Sequence, residues 1–131
     1  MITFCTKKQR KGAGFIMDAN AVTQAIRDGK SIAGQNLSGL NLDNIDFSGA
    51  DLTGCNFNKT SLKNANLSKT KLINCDLRLA DLSRANLFHA DLTGSKLRRA
   101  NLTGSIRIGC TVKASALKGA YIAGEVAYLE D

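Results

Sequence analysis

The sequence has no tryptophan and no proline, and aromatic residues make up only 5% of its 131 positions. A globular core of this size normally draws on more aromatic volume. Here the apolar content, 44%, is carried by Leu, Ala and Ile. There is one histidine, His89, and the four cysteines (Cys5, Cys55, Cys75, Cys110) form no CxxC pair. That spacing points to no metal site and no disulfide framework. No apolar run approaches the length of a membrane span. The first 17 residues are basic but lack the continuous apolar stretch of a secretory signal, so a cytoplasmic setting is the expectation. Acidic excess is missing too: the net charge is +7 and the pI about 9.5. Such a balance suits an acidic partner, whether protein, lipid or nucleic acid, and equally suits simple mutual repulsion in solution. The length fits one domain.

What is abundant is a beat of five. An apolar residue returns at Leu37, Leu42, Phe47, Leu52 and Phe57, then at every fifth position from Leu62 to Leu102, fourteen times without a miss. Two residues earlier sits a second, mostly small residue, such as Ala50, Cys55, Ala65, Cys75, Ala80, Ala85 or Ala90. Asn or Asp usually precedes the centre, as in Ala50-Asp51-Leu52-Thr53-Gly54. Period five matches neither the 3.6 of a helix nor the 2 of a strand. A helix would scatter the leucines around its circumference, and one long strand would alternate them between faces. A short extended stretch followed by a turn resolves the conflict. The centre and the residue two before it then share the inside. The two residues after the centre, rich in Ser, Thr, Gly and Asn, make the corner. Four corners close a coil of 20 residues.

These units resemble the pentapeptide-repeat family, cleanly over residues 35–104 and weakly to about 122. The resemblance implies an all-β fold, a right-handed quadrilateral β-solenoid of about four coils. It does not fix a function, because members of a fold family differ in what they do. Residues 18–29 read as a capping helix: Val22, Ala25 and Ile26 share a face, Asp18 or Asn20 can start it, and Gly29 can end it. The solenoid is then expected over 30–122, with a cap or tail at 123–131. Residues 1–17 are expected to be disordered or to belong to an upstream extension, with Met17 an alternative start. After Leu102 the register blurs. Arg107 is a poor interior residue, so 105–109 is expected to bulge and turn Ile106 and Ile108 inward. The beat resumes at Val112, Leu117 and Ile122, preceded by Cys110, Ser115 and Ala120.

Residues 20 apart stack, so each side can be read as a ladder. The side centred on Leu37, Phe57, Leu77, Leu97 and Leu117 carries Lys59, Arg78, Lys96, Arg98, Arg99 and Lys118, opposed only by Asp76. Its net charge is +5, and the second and fourth sides balance to zero. This is the candidate partner-binding face. Phe88 points outward on the third side, and an outward Ile108 would complete an apolar patch for self-association. Tyr121 and Tyr128 either line a homodimer contact at the C-terminal end or cover that end. Cys55 and Cys75 stack within disulfide range and are expected as buried thiols. His89 is expected as a surface residue.

Catalysis needs convergent groups in a concavity, and neither is evident. The expectation is a non-catalytic binding scaffold without cofactor or metal. A DNA mimic that binds gyrase, as some members of the family do, needs an acidic surface, and no side supplies one. A secreted effector or a fragment of a larger assembly is the remaining alternative.

Overall fold

The computed structural model describes residues 17–122. The expectations for 1–16, for 123–131 and for Tyr128 lie outside that range. Within it, the residue before each centre from Leu37 to Leu92, and Asn101 before Leu102, forms a one-residue parallel bridge to the residue 20 positions on. The bridges make four ladders: Asn36–Asn56–Asp76–Lys96, Asn41–Ser61–Asp81–Asn101–Tyr121, Asp46–Asn66–Asn86–Ile106 and Asp51–Lys71–Asp91–Thr111. Two hydrogen bonds flank each bridge. At the Asn66–Asn86 bridge the Leu67 N–H donates to the Asn86 carbonyl at 2.7 Å, and the Asn86 N–H donates back to the Ala65 carbonyl at 2.9 Å. Twenty residues thus carry the chain once around, as the five-residue beat predicts.

No pairing grows into a longer strand, because the two residues after each centre turn. The N–H of Ala50 donates to the Phe47 carbonyl at 2.9 Å, closing the corner. The second corner residue has positive φ in every unit from Gly34 to Gly109. This is the pattern of a type II turn, which favours glycine there. Lys59, Lys69, Leu79, Arg84, His89 and Arg99 occupy it all the same. The Asn or Asp before the centre has a local job in this turn. Its Oδ1 accepts the N–H two residues on, as from Thr53 to Asp51 and from Ser68 to Asn66, at 3.0 and 3.1 Å. This is the Asx-turn that fits both residue types to this position. At Asp46 the Ser48 backbone N–H, and at Asp51 the Thr53 hydroxyl, lead in holding the carboxyl below its ordinary range.

The centres from Leu37 to Leu102 are all buried, and so from Cys55 onward is the small residue two before each. Polar members of this inner row spend their hydrogen on the carbonyls of the corners. Thr60 Oγ1 donates to Leu37 O at 2.7 Å, Cys55 Sγ to Ile32 O at 3.1 Å, and Cys75 Sγ to Leu52 O at 3.0 Å. Cys55, Cys75 and Cys110 are free thiols. Burial pushes Cys75 and Cys110 up to about 12 and raises Cys55 as well. They are inert filling, as buried thiols usually are.

Among the described residues, one α-helix precedes the coils. Helix α1, Ala19–Arg27, starts at Asp18, whose Oδ1 accepts the Ala21 N–H at 2.8 Å. It ends where Gly29, at φ 69°, lets the Lys30 N–H reach the Ala25 carbonyl at 2.9 Å. Val22 and Ala25 are buried, and Ile26 packs against the same core. Met17 corrects the expected boundary. It is fully buried in that core, not part of an unstructured start. It stands just before the N-cap, with Val22 four positions into the helix, the two places that a hydrophobic staple uses.

Two further expectations are overturned at the C-terminal end. The stretch 105–109 does not bulge. Arg107 takes the interior centre position, 4% exposed, while Ile106 and Ile108 face out at 44% and 52%. The Ile106 bridge to Asn86 and the His89 N–H bond to Ile108 O, 2.9 Å, keep the coil in register. The repeating backbone bonds outweigh the side chain. Arg107 lays its stem inside, and one guanidinium nitrogen donates to Leu102 O and Ser105 Oγ at 3.3 and 3.2 Å. Burial lowers its pKa. The other departure is a 3-10 turn, Ala114–Leu117. Val112 and Leu117 stay buried, but Ser115 is exposed and not an inner residue. Ile122 is 41% exposed.

Candidate binding surface

The ladders gather the sequence-predicted cations. Asn58, Arg78 and Arg98 stack in one row, and Lys59, Leu79 and Arg99 in the next. Together they line an open groove of about 670 Å³. The rows are tied across coils: the Leu79 N–H donates to the Arg98 carbonyl at 3.1 Å, and Asn58 Nδ2 to the Arg78 carbonyl at 3.1 Å. At the next coil the register slips by one: the Arg99 N–H donates to the Gly119 carbonyl at 2.8 Å and not to that of Lys118, and a Cβ on Gly119 would lie 3.7 Å from Arg98. The expected vertical run of Arg78, Arg98 and Lys118 is therefore not continued at equal depth by Lys118.

The cations are not equivalent. Arg78 is clamped by Asp76, Nε to Oδ1 at 2.8 Å and the terminal nitrogen to Oδ2 at 2.7 Å. The clamp holds the Asp76 carboxyl below its ordinary range and raises Arg78. Lys96 lies beside Asp76 in the bridge ladder and adds to the lowering. Among the described residues, no carboxylate comes within ion-pair distance of Lys59, Arg98, Arg99 or Lys118.

Nothing in the repeat pattern marks Leu79 out. This leucine sits among the cations of the groove, 45% exposed and at φ 64°. An L-residue in that region costs about 1–2 kcal/mol, and exposure returns little of it. Leu79→Gly is expected to raise stability by about 0.5–1 kcal/mol, the relief less the added chain entropy, measured as the urea midpoint. A loss of stability would show that the leucine packs more than its exposure implies.

The self-association candidates are placed as follows. Phe88 is 37% exposed and packs edge-on against His89, ring centroids 4.2 Å apart. The Phe88–His89 corner stacks on Ile108–Gly109, and a Cβ on Gly109 would lie 2.7 Å from the His89 ring. Ile106, close to Ile108 in the chain, is also exposed, and Tyr121 is 59% exposed. No group of metal-ligating side chains occurs among the described residues, and no helix there is long and apolar enough to cross a membrane.

Comparison with known proteins decides the family. The model for pentapeptide repeats matches residues 36–68 and 65–104, in eight copies. The chain belongs to the pentapeptide-repeat family. With membership comes the right-handed β-helix solenoid. Among solved structures, this pentapeptide-repeat protein is similar to HetL of the cyanobacterium Nostoc, a protein involved in heterocyst differentiation regulation. Identity is 32% over 72% of this chain and 47% of HetL, with a TM-score of 0.42. The chain thus spans about half the length of HetL. A pentapeptide-repeat protein of the Arabidopsis thaliana thylakoid lumen is 25% identical over 81% of this chain and 74% of its own, TM-score 0.40. One from the cyanobacterium Cyanothece is 25% identical over 82% and 92%, TM-score 0.37. No curated protein matches.

Proposed function

We propose that this pentapeptide-repeat protein is a non-catalytic binding scaffold, a quadrilateral rod of about four coils capped by α1. It presents the face of Lys59, Arg78, Lys96, Arg98, Arg99 and Lys118 to an acidic protein. The observation that carries the reading is the groove of Asn58, Lys59, Arg78, Leu79, Arg98 and Arg99. It puts three arginines, a lysine and one exposed leucine within one partner's reach. Stacked like charges at about 4.8 Å spacing repel one another, and an acidic partner relieves that. No aromatic accompanies them, so bases have no platform to stack on. The exposed leucine suits the mixed apolar and polar character of a protein surface. No side is net acidic, which weighs against mimicry of DNA and hence against the gyrase-binding reading.

The test uses poly-L-glutamate and a 20-base-pair duplex as probes, followed by fluorescence anisotropy. The affinity for polyglutamate is expected to fall steeply with salt. In Arg78→Ser/Arg98→Ser/Arg99→Ser it is expected to drop by about 3–100-fold, taking about 0.2–1 kcal/mol per exposed ion pair. The same affinity in the triple variant rejects the reading. Tighter binding to duplex than to polyglutamate at equal salt moves the partner from protein to nucleic acid.

A further inference from the structure

Among the described residues, three rungs of the coil-to-coil ladder are missing at one corner. In lower coils the Gly54 and Asn74 N–H groups donate to the Ile73 and Thr93 carbonyls at 2.9 and 2.8 Å. The next in the series, Gly94 N–H, has no such acceptor. The Phe57 and Leu77 N–H groups donate to the Asp76 and Lys96 carbonyls, both at 2.8 Å, but Leu97 N–H does not continue the row. The Asp76 and Lys96 N–H groups donate back to the Cys55 and Cys75 carbonyls at 3.1 and 3.0 Å. Ala116, which would do the same for Ser95, gives its N–H to the Lys113 carbonyl at 2.9 Å instead. The cause is the 3-10 turn Ala114–Leu117, which lifts the chain off the coil beneath.

The space under the lifted turn is a groove of about 460 Å³, its walls including Leu92, Gly94, Ser95, Val112, Lys113 and Ala116. Its lining is mostly apolar and, among the described residues, contains no carboxylate. Ser95 and Leu97 are 5% and 2% exposed, and buried backbone groups seldom stay unmatched.

We infer that this groove is a docking slot for an extended, acidic segment of a partner protein, a second surface that shares only Lys96 with the basic face. One incoming residue can donate its N–H to the Ser95 carbonyl and accept the Leu97 N–H with its own. That is the one-residue parallel bridge which every lower coil makes at this side. Its side chain then stands beside Lys96, as that of Asp76 does from below, so an aspartate matches the position. The flanking side chains fall on the Leu92 and Val112 wall. Main-chain bonds give such strand addition its affinity, and the pockets give its specificity. Lys113 at the rim favours the same sign of partner.

The probe is the blocked peptide acetyl-Ala-Ser-Asp-Leu-Ser-Gly-amide, titrated into the full ¹⁵N-labelled chain, with a control carrying Lys for Asp. Saturation is expected to move the Gly94 and Leu97 amide resonances and slow their hydrogen exchange at least tenfold. The lysine peptide is expected to bind at least tenfold more weakly. Ala116→Arg, at a half-buried wall position, is expected to abolish both effects while the resonances of the lower coils stay in place. Three results each overturn the inference. The free chain protects Gly94 and Leu97 as well as it protects Lys96, so that its own residues already fill the slot. The peptide moves neither amide at saturation. The lysine peptide binds as tightly as the aspartate one.

Discussion

Phe57→Ala is expected to destabilise the protein by about 3–5 kcal/mol, the range for removing a buried ring. Phe57 is fully buried and meets Phe47 edge-on, ring centroids 6.5 Å apart and planes at 74°. That arrangement favours the ring quadrupoles and adds to the area term. Deleting the ring leaves a hole in the narrow space between Leu37 below and Leu77 above. The walls are coils pinned by main-chain bonds on all four sides, such as the Phe57 N–H to the Asp76 carbonyl at 2.8 Å. They cannot collapse inward without breaking rungs, so the cavity term is large. Phe57→Leu sets the same residue as Leu37, Leu77 and Leu97 in the ladder, and less than half of the loss is expected. Thermal unfolding of the two variants measures the difference. At about 4–8 °C per kcal/mol for a domain of this size, the alanine variant should melt more than about 12 °C lower. Equal losses in the two would mean that the ring is held by something other than the shape of the interior.

The same pinning explains what could be read in the sequence and what could not. The centres are legible because a period of five has one geometric solution, and every centre from Leu37 to Leu102 is buried. The inner row is legible because small residues recur there from Ala50 onward. The cations follow once the 20-residue turn is known, since stacking needs only arithmetic. Arg107 is misjudged because side-chain polarity argues against an interior place, and nothing in the sequence displays the strength of the Asn86–Ile106 bridge. The positive φ at Lys59, Leu79 and Arg99 is hidden for the same reason. Local preference would put glycine or asparagine there, and the ladder imposes the turn on whatever residue stands in place. Leu79 therefore reads as an ordinary corner residue, though it lies in the middle of the groove. The 3-10 turn leaves no signal either: Val112 and Leu117 keep the beat while the backbone between them departs from it. The clamp of Asp76 on Arg78 needs side-chain geometry that spacing cannot supply.

If the coils are rigid enough to impose these conformations, the inner row must resist expansion as firmly as the centres resist deletion. Ala85→Phe is the direct test. Ala85 is fully buried, with Ala65 below it and Ser105 above, both also fully buried. The main-chain groups around it are engaged: its N–H donates to the Leu82 carbonyl at 3.0 Å, and its own carbonyl accepts the Ile106 N–H at 2.9 Å. Coils about 4.8 Å apart cannot take a ring between them, and Leu82 and Leu87 already fill the centres on either side. Overpacking usually costs about 1–3 kcal/mol. Here the ring can enter only by opening bonds to a neighbouring coil, each worth about 0.5–1.5 kcal/mol, so a loss at or above the top of that range is expected. Ala85→Ser is the control. Its hydroxyl can donate to the Leu82 carbonyl as Ser105 does to that of Leu102 at 2.8 Å, and a change within about 1 kcal/mol is expected. Urea titration of both variants decides. A phenylalanine variant as stable as the parent would mean that the inner row has slack and that the coils are not pinned at their most crowded point.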